Sequence, residues 1–286
     1  MRLLLYSKSC DPFYNLAMEE VIVRKYPLED CEVLVIYLND PCIVLGKNQN
    51  VLAEVSLSAI EDSAVIKSRR ISGGGTVVHD LGNINFSFFT KHDIQNVNNY
   101  SNSVGWMVEC LHQMGIQCHQ NNRNAIFLSN GKKISGSAQF STSNGILSHF
   151  SLLYNSDLDF VRYCLSKNDS FRMTTKASPS VRSEVDNLKN YLSISQAAFI
   201  DEIMGFWKAD EVLDIAPFQE EIKKLRNTKY SNTSYVFNTA CNGIIQKNDI
   251  SITINQGIIE NECTFHNIDF QMKSIFDPVI MDYLRD

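Results

Sequence analysis

Three consecutive glycines, Gly73, Gly74 and Gly75, separate Arg69-Arg70 from Thr76-Val77-Val78-His79-Asp80. Only thirteen glycines serve 286 residues, so the run answers a local need: positive φ, or something approaching closer than a Cβ permits. It lies between the strand-like VIKSRR (65–70) and TVVHDLGNINFSFF (76–89), which makes it a strand-to-strand loop. It fits neither the GxxxxGK[ST] phosphate loop nor a GxGxxG turn opening a helix. Glycines in series let successive N–H groups face one point and bind an anion. Arg69 and Arg70 can add charge-assisted bonds to a phosphate or carboxylate. A tight surface turn beside two solvated arginines satisfies the same letters.

A second stretch favours the anion. NGKKISGSAQF (130–140) places Lys132 and Lys133 after a turn and before a strand of small residues containing Gly136. A lysine there can point into a pocket floored by backbone, although a lone lysine is usually surface charge. Two glycine-containing segments with flanking cations suggest one anionic ligand gripped from two sides.

The chain as a whole carries 26 Lys and Arg against 32 Asp and Glu, a net charge of −6. A basic surplus is missing, so no nucleic-acid partner is expected. No apolar run reaches the ~18 residues of a membrane span, and no signal-peptide pattern opens the chain, so a cytoplasmic protein without membrane association is expected. Eight cysteines are scattered with no CxxC pair and no metal-ligand spacing, so they read as small buried hydrophobes and no protein metal site is expected.

The pattern predicts a first helix over 11–26, with Asp11 as N-cap, Pro12 in the first turn and Phe13, Ala17 and Val21 on one face. Strands are expected at 33–38, 42–45, 84–90, 125–128, 132–140 and 146–155, with Ile84, Phe86 and Phe88 sharing a face. A helix carrying Val104, Met107, Leu111 and Met114 ends near Gly115, and Ser193–Gln196 forms a capping box for another. Late in the chain, alternating Ile250, Ile252 and Ile254 turn at 255–257 into IIENECTF as a hairpin. The fold class is therefore α+β, with mixed or antiparallel sheets flanked by helices over 1–220 and a small α+β appendage over 221–286.

RRISGGGTVVHDLGNINFSF with GKKISGSAQF resembles the lipoate–protein ligase A family, which shares its catalytic fold with biotin–protein ligases. DPFYNLAMEE, IYLNDPCIVLGKNQN, RNA (123–125), HFSLLYNSDL and SVRSEVDNL agree in the family's order over most of 1–190, and the GRGRxGR signature of biotin ligases is absent. KLRNTKY and GIIENECTF look like pieces of the accessory domain found on ATP-dependent members.

The resemblance implies an ATP-dependent ligase that makes lipoyl-adenylate with Mg²⁺ present. The lipoyl group then passes to a lysine of an apo lipoyl domain, on a 2-oxoacid dehydrogenase acyltransferase subunit or the glycine cleavage H protein. Lys133 matches the family lysine that bonds the lipoyl carbonyl and the adenylate phosphate. ATP and adenylate fall to Arg70, Gly75, Thr76, Val77, Val78, Asn83 and Asn124, the two asparagines by fixing loops. Lipoate falls to Ser72, Gly73, Gly74, His79, Gly136 and His149, although a satisfied core histidine explains His149 as well. His79 and Asp80 are adjacent on a strand and face opposite sides, so they shape the loop rather than form a dyad.

Two departures stand out. Ala125 occupies the place of a family aspartate, and Phe150 that of a family glycine. They leave open a transferase that uses a thioester, with Cys118 as nucleophile, or a preformed adenylate, and also a non-catalytic binder of lipoyl domains.

Overall fold

The computed structural model describes residues 1–261, 263–265 and 268–285. It opens with β1 (Arg2–Tyr6), α1 (Pro12–Lys25) and β2 (Glu32–Tyr37), and β1 and β2 pair in parallel. Asp11 caps α1 as expected, its carboxylate accepting from the Phe13 N–H at 2.9 Å. From Leu16 to Val23 the helix is buried on every side, beyond what the Phe13–Ala17–Val21 stripe requires. A helix buried all round must lie between two layers. Here they are the main sheet and the segment around 219–230.

β3 (Cys42–Leu45), β4 (Ile66–Arg69) and β5 (Val77–His79) form a small three-stranded sheet, with the short helices α2 (Val51–Glu54) and α3 (Leu57–Glu61) between β3 and β4. The glycine run is therefore the β4–β5 connection. β6 (Asn83–Lys91), α4 (Trp106–Gln113), β7 (Cys118–Gln120), β8 (Ile126–Leu128), β9 (Lys133–Ser141) and β10 (Gly145–Leu153) follow. With β12 (Glu211–Val212) they complete an eight-stranded mixed sheet ordered β12-β1-β2-β6-β10-β9-β8-β7.

Alternation along the strands divides the core. Val33, Val35 and Phe89 pack with Leu16, Val21 and Ile22 of α1. Leu34, Ile36, Ile84, Phe86 and Phe88 face the other way, against Met107 and Leu111 of α4 and Phe199 and Ile203 of α6 (Gln196–Trp207). Each large side chain so buried contributes about 1.5–3 kcal/mol, which fixes the register of the sheet. The helix α6 begins later than the capping box predicts. Ser195, not Ser193, is its N-cap, accepting from the Ala198 N–H at 3.1 Å. The Ile194 carbonyl is already taken by the Tyr154 hydroxyl and the Lys189 ammonium, so the helical ladder cannot start there.

The other face of the small sheet, Ile43, Leu45 and Val78, shares a core with the C-terminal region. That region holds α5 (Leu158–Leu165), β11 (Arg172–Thr174), β13 (Gly243–Lys247), β14 (Ile250–Asn255), β15 (Ile258–Ile259) and α8 (Pro278–Arg285), whereas α7 (Gln219–Leu225) packs on α1. The predicted hairpin is β14–β15, and Gln256 and Gly257 at its tip have φ of +47° and +78°, as a two-residue primed turn demands. Of the predicted IIENECTF run, Glu262 lies outside the described residues. β13 and β11 extend this sheet to order β11-β13-β14-β15 without having been expected from the sequence.

Candidate active site

The three glycines are not equivalent. Gly74 has φ +86°, a conformation that disfavours any Cβ, and Gly75 could not carry one without meeting Ser180 Oγ at 2.9 Å. Gly73 has open space where a Cβ would stand. A Cβ on Gly46 would sit 2.1 Å from the Gly74 carbonyl, so β3 and the loop are in backbone contact.

Arg70 folds this loop from inside. Its Nη2 donates to the carbonyls of Gly73 at 2.6 Å and Gly75 at 2.7 Å, its Nη1 to the Val44 carbonyl, and its Nε to Ser72 Oγ at 3.0 Å. Burial lowers its pKa to about 10, still far above neutrality. Two loop carbonyls are turned onto the guanidinium, and the N–H groups of Gly73, Gly74 and Gly75 have no acceptor among the described residues. Of the N–H groups that share a peptide with those two carbonyls, that of Thr76 is taken by Ser180 Oγ and that of Gly74 is left unpaired. A run of unpaired donors of this kind suits an anion. Arg69, expected beside Arg70 as a second anion ligand, is withdrawn from that task. Its fully buried guanidinium donates to the carbonyls of Gly46 at 2.9 Å, Gln49 at 2.8 Å and Val236 at 2.6 Å. It pins the 46–49 loop to the C-terminal region.

The loop borders a cavity of about 570 Å³ that is also lined by Lys133, Gly136 and Ser137 on β9 and His149 on β10. Residues 178–181 and Ser183 cover one side. Ser180 ties that cover down: its hydroxyl accepts from the Thr76 N–H and from Gln49 Nε2, each at 3.0 Å, and donates to Glu54. Lys133 enters the cavity because both faces of its peptide are held, its N–H by the Glu184 carbonyl at 2.8 Å and its carbonyl by the Asp186 N–H at 3.1 Å. Burial pushes the pKa of its ammonium below the usual lysine range. No acceptor among the described residues binds Nζ, which lies so near Gly136 that a Cβ there would stand 3.3 Å away. Lys132, by contrast, is the surface neighbour, paired with Asp186 at 3.5 Å and Glu184 at 3.6 Å.

Of the other sequence candidates, Gly73–Gly75, Thr76, Val77 and His79 line the cavity. His79 is buried and held neutral, its pKa driven down to about 3 by burial and then by Arg70. Its Nδ1 accepts from Asn39 Nδ2 at 3.0 Å, leaving the proton on Nε2 with no partner among the described residues. Asp80, on the opposite side, accepts from the N–H groups of Gly82, Asn83 and Asp157 and so shapes the turn. Ser72 is buried behind the wall and is hydrogen-bonded to His149 Nε2 at 2.7 Å. Val78 belongs to the core. Asn83 is buried and donates to Asn85. Asn124, with φ +59°, supports the loop by accepting from Gln120 Nε2 and, through its carbonyl, from Ser137. Cys118 is packed in the core under α4, its thiol pushed up to about 11 by burial, and it does not border the cavity. Ala125 and Phe150 both border the cavity, but the Phe150 ring is committed to a stack with Phe86 at 5.2 Å.

Sequence reasoning missed Gln49, Ser180 and Glu19. Gln49 Oε1 accepts from Thr76 Oγ1 at 2.6 Å, and Glu19 is a buried carboxylate bonded to His149, Tyr37 and Ser87. The signal for Glu19 was available, since an acidic pair inside the otherwise apolar NLAMEEVIV has no solvent face to occupy.

Residues 11–207 match the model of the lipoyl protein ligase A/B catalytic domain. The lipoate-protein ligase LplJ of Bacillus subtilis is 41% identical over 183 residues, 64% of this chain and 54% of that protein. Lipoate–protein ligase 1 of Staphylococcus aureus is 35% identical over 236 residues, 80% of this chain and 71% of that one. The chain thus spans between about half and 71% of the length of these relatives. Among solved structures, the bipartite lipoate protein ligase of Thermoplasma acidophilum, described with its E2 lipoyl domain, superposes with a TM-score of 0.70 at 21% identity. That match covers 87% of this chain and 98% of the other.

Proposed function

Because the chain belongs to the lipoyl protein ligase A/B catalytic-domain family, we propose that it is an ATP-dependent lipoate–protein ligase. The observation that carries the reading is Lys133 Nζ, a partly desolvated cation with no acceptor among the described residues, which shares with the glycine run a cavity whose described lining residues include no Asp or Glu. In the first half-reaction the lipoate carboxylate attacks the α-phosphorus of ATP and pyrophosphate leaves. In the second, an acceptor lysine amine attacks the lipoyl carbonyl and AMP leaves, the amine losing its proton. Both transition states gather negative charge on phosphate and carbonyl oxygens, and fixed donors aimed there lower the barrier. Lys133 Nζ reaches the bridging region between the two groups, the 73–75 N–H groups take phosphate oxygens, and Arg70, by holding the Gly73 carbonyl, fixes the direction of the Gly74 N–H. The neutral His79 Nε2–H offers one further donor to the lipoate side.

Magnesium is a poor fit to these residues. The described lining residues include no carboxylate, and no cluster of three potential ligands exists among the described residues. No step is therefore assigned to a metal held by this chain. A second reading, transfer from a preformed lipoyl-adenylate, is favoured by Ala125, which lines the cavity where the family carries an aspartate. The thioester route gains nothing from the geometry, because Cys118 is sealed in the core.

The acceptor is proposed to be an apo lipoyl domain of a 2-oxoacid dehydrogenase acyltransferase subunit or the glycine cleavage H protein, and the compartment the cytoplasm. Among the described residues no helix is long and apolar enough to cross a membrane. We also propose a boundary near residue 220, where the main sheet's last strand gives way to the C-terminal packing.

Intact-mass spectrometry of an apo lipoyl domain, incubated with this protein, lipoate and Mg²⁺ with and without ATP, tests the proposal. A lipoyl mass gain only with ATP supports the ligase. A gain only from lipoyl-adenylate supports the transferase, and no gain under either condition leaves a binder.

A further inference from the structure

We propose that Glu19 is a positioning residue: through His149 and Ser72 it fixes the direction of a hydrogen-bond relay that ends on Arg70 and thereby sets the shape of the glycine loop. The carboxylate does not border the cavity, and its side chain is only 1% exposed. His149 Nδ1 lies 3.1 Å from both of its oxygens, and the hydroxyls of Tyr37 (2.9 Å) and Ser87 converge on Oε1.

An ionised carboxylate only accepts. Each of these three groups must therefore donate, and the proton of His149 is placed on Nδ1. In the neutral ring Nε2 is then an acceptor, and among the described residues its hydrogen-bond partner is Ser72 Oγ at 2.7 Å. With its own proton committed to His149, Ser72 Oγ presents its lone pairs to Arg70 Nε at 3.0 Å. The relay runs one way, Arg70 to Ser72 to His149 to Glu19, and with a neutral imidazole every donor in it has an acceptor.

The consequence reaches the cavity through Arg70. Its Nε is fixed by Ser72 and its Nη1 by Val44, so Nη2 can only point at the carbonyls of Gly73 and Gly75. The Gly73 carbonyl shares its peptide with the Gly74 N–H, so holding the one fixes the direction of the other, while the Gly75 carbonyl does the same for the Thr76 N–H that Ser180 accepts. Glu19 also supplies the charge that the buried guanidinium needs: it is the first of the groups that offset the burial of Arg70. A buried cation left without such a partner is costly. Nothing else in the relay carries a fixed negative charge.

The activity arm of the test rests on the ligase reading above; the spectroscopic arm does not. Histidine ring ¹⁵N spectra, with His149 assigned by His149→Gln, report its tautomer in the unaltered protein, and the Nδ1–H form is expected. An Nε2–H form overturns the proposal without any variant having to fold. For the activity arm, kcat and KM for lipoyl transfer are compared in wild type, Glu19→Gln, Ser72→Ala and the double variant. Glu19→Gln keeps the volume and one acceptor oxygen but removes the charge. It is expected to lower kcat/KM about tenfold, and to lower it no further once Ser72→Ala has cut the relay, because coupled residues are non-additive. Equal effects of Glu19→Gln in both backgrounds mean that Glu19 acts elsewhere, and the proposal fails. A wild type that transfers no lipoyl group refutes the ligase reading instead, and the tautomer still decides the relay.

Discussion

Replacing Lys133 by Met separates catalysis from stability more cleanly than any other change in this molecule. The side chain has no hydrogen bond or ion pair to lose among the described residues, and burial already disfavours its charge. Met keeps the stem that packs beside Gly136 and removes only the ammonium. On the chemical side, deleting one preorganised donor aimed at a developing oxyanion costs about 3–4 kcal/mol, or a 10²–10³-fold fall in kcat. On the folding side the expected change is small and favourable, because an uncompensated cation leaves a partly desolvated site. The pH dependence gives a second sign. Folding lowers the pKa of Lys133, so near the top of the lysine range the unfolded chain binds more protons than the folded one, and stability rises with pH there. Lys133→Met removes that rise. The assay is single-turnover lipoyl transfer read by intact mass, beside thermal melts at pH 7 and 10. Retention of more than a tenth of wild-type turnover refutes the role, and a melting temperature that falls by several degrees refutes the account of its environment.

Gly74→Ala places a Cβ at φ +86° and 3.0 Å from Arg70 Nη2; it is expected to cost about 1–2 kcal/mol in urea unfolding and to raise KM for ATP, whereas Gly73→Ala, which meets nothing, leaves both near wild type. Cys118→Ser is expected to leave turnover within about twofold, since a buried thiol acts as a small hydrophobe, and a loss of a hundredfold or more would revive the thioester route. His79 is neutral when folded down to about pH 3 but titrates near 6.5 when unfolded, so stability should decline as pH falls from about 6.5 towards 3. Chemical denaturation across that range checks the slope, which His79→Asn should flatten.

Much of the fold was legible because its periodicities are strong. Ile84, Phe86 and Phe88 alternate in the sequence and pack on one face in the structure, and Asp11-Pro12 opens α1 where its chemistry requires. The glycine loop was legible for the same reason: conformations available to glycine leave a mark in composition. What was not legible depends on which groups meet across the fold. Arg69 and Arg70 are the same letter twice, yet alternation along β4 sends one guanidinium to Val236 and the other into the loop. Ser195 and Ser193 compete for one cap, and the tie is broken by Tyr154 from forty residues away. β13 was hidden because GIIQK is short and ambiguous alone; its place is set by pairing with β14 and β11.

The same distinction explains why the anion site is built on buried charge rather than on exposed lysines. A surface cation would meet a phosphate through solvent and salt, and the contact would be worth little. Arg69 and Arg70 are buried, Glu19 offsets the charge of Arg70, and backbone carbonyls from Val44, Gly46, Gln49, Gly73, Gly75 and Val236 accept from the two guanidinium groups. Every carbonyl turned towards a guanidinium turns the N–H of the next peptide away from it. In the glycine run Arg70 holds the Gly73 carbonyl and so turns the Gly74 N–H away from itself. On the proposed reading Arg70, which also lines the cavity, acts on an anion partly through that peptide dipole. The dipole and Lys133 then meet the ligand already in place, so little reorganisation is left for the moment of reaction.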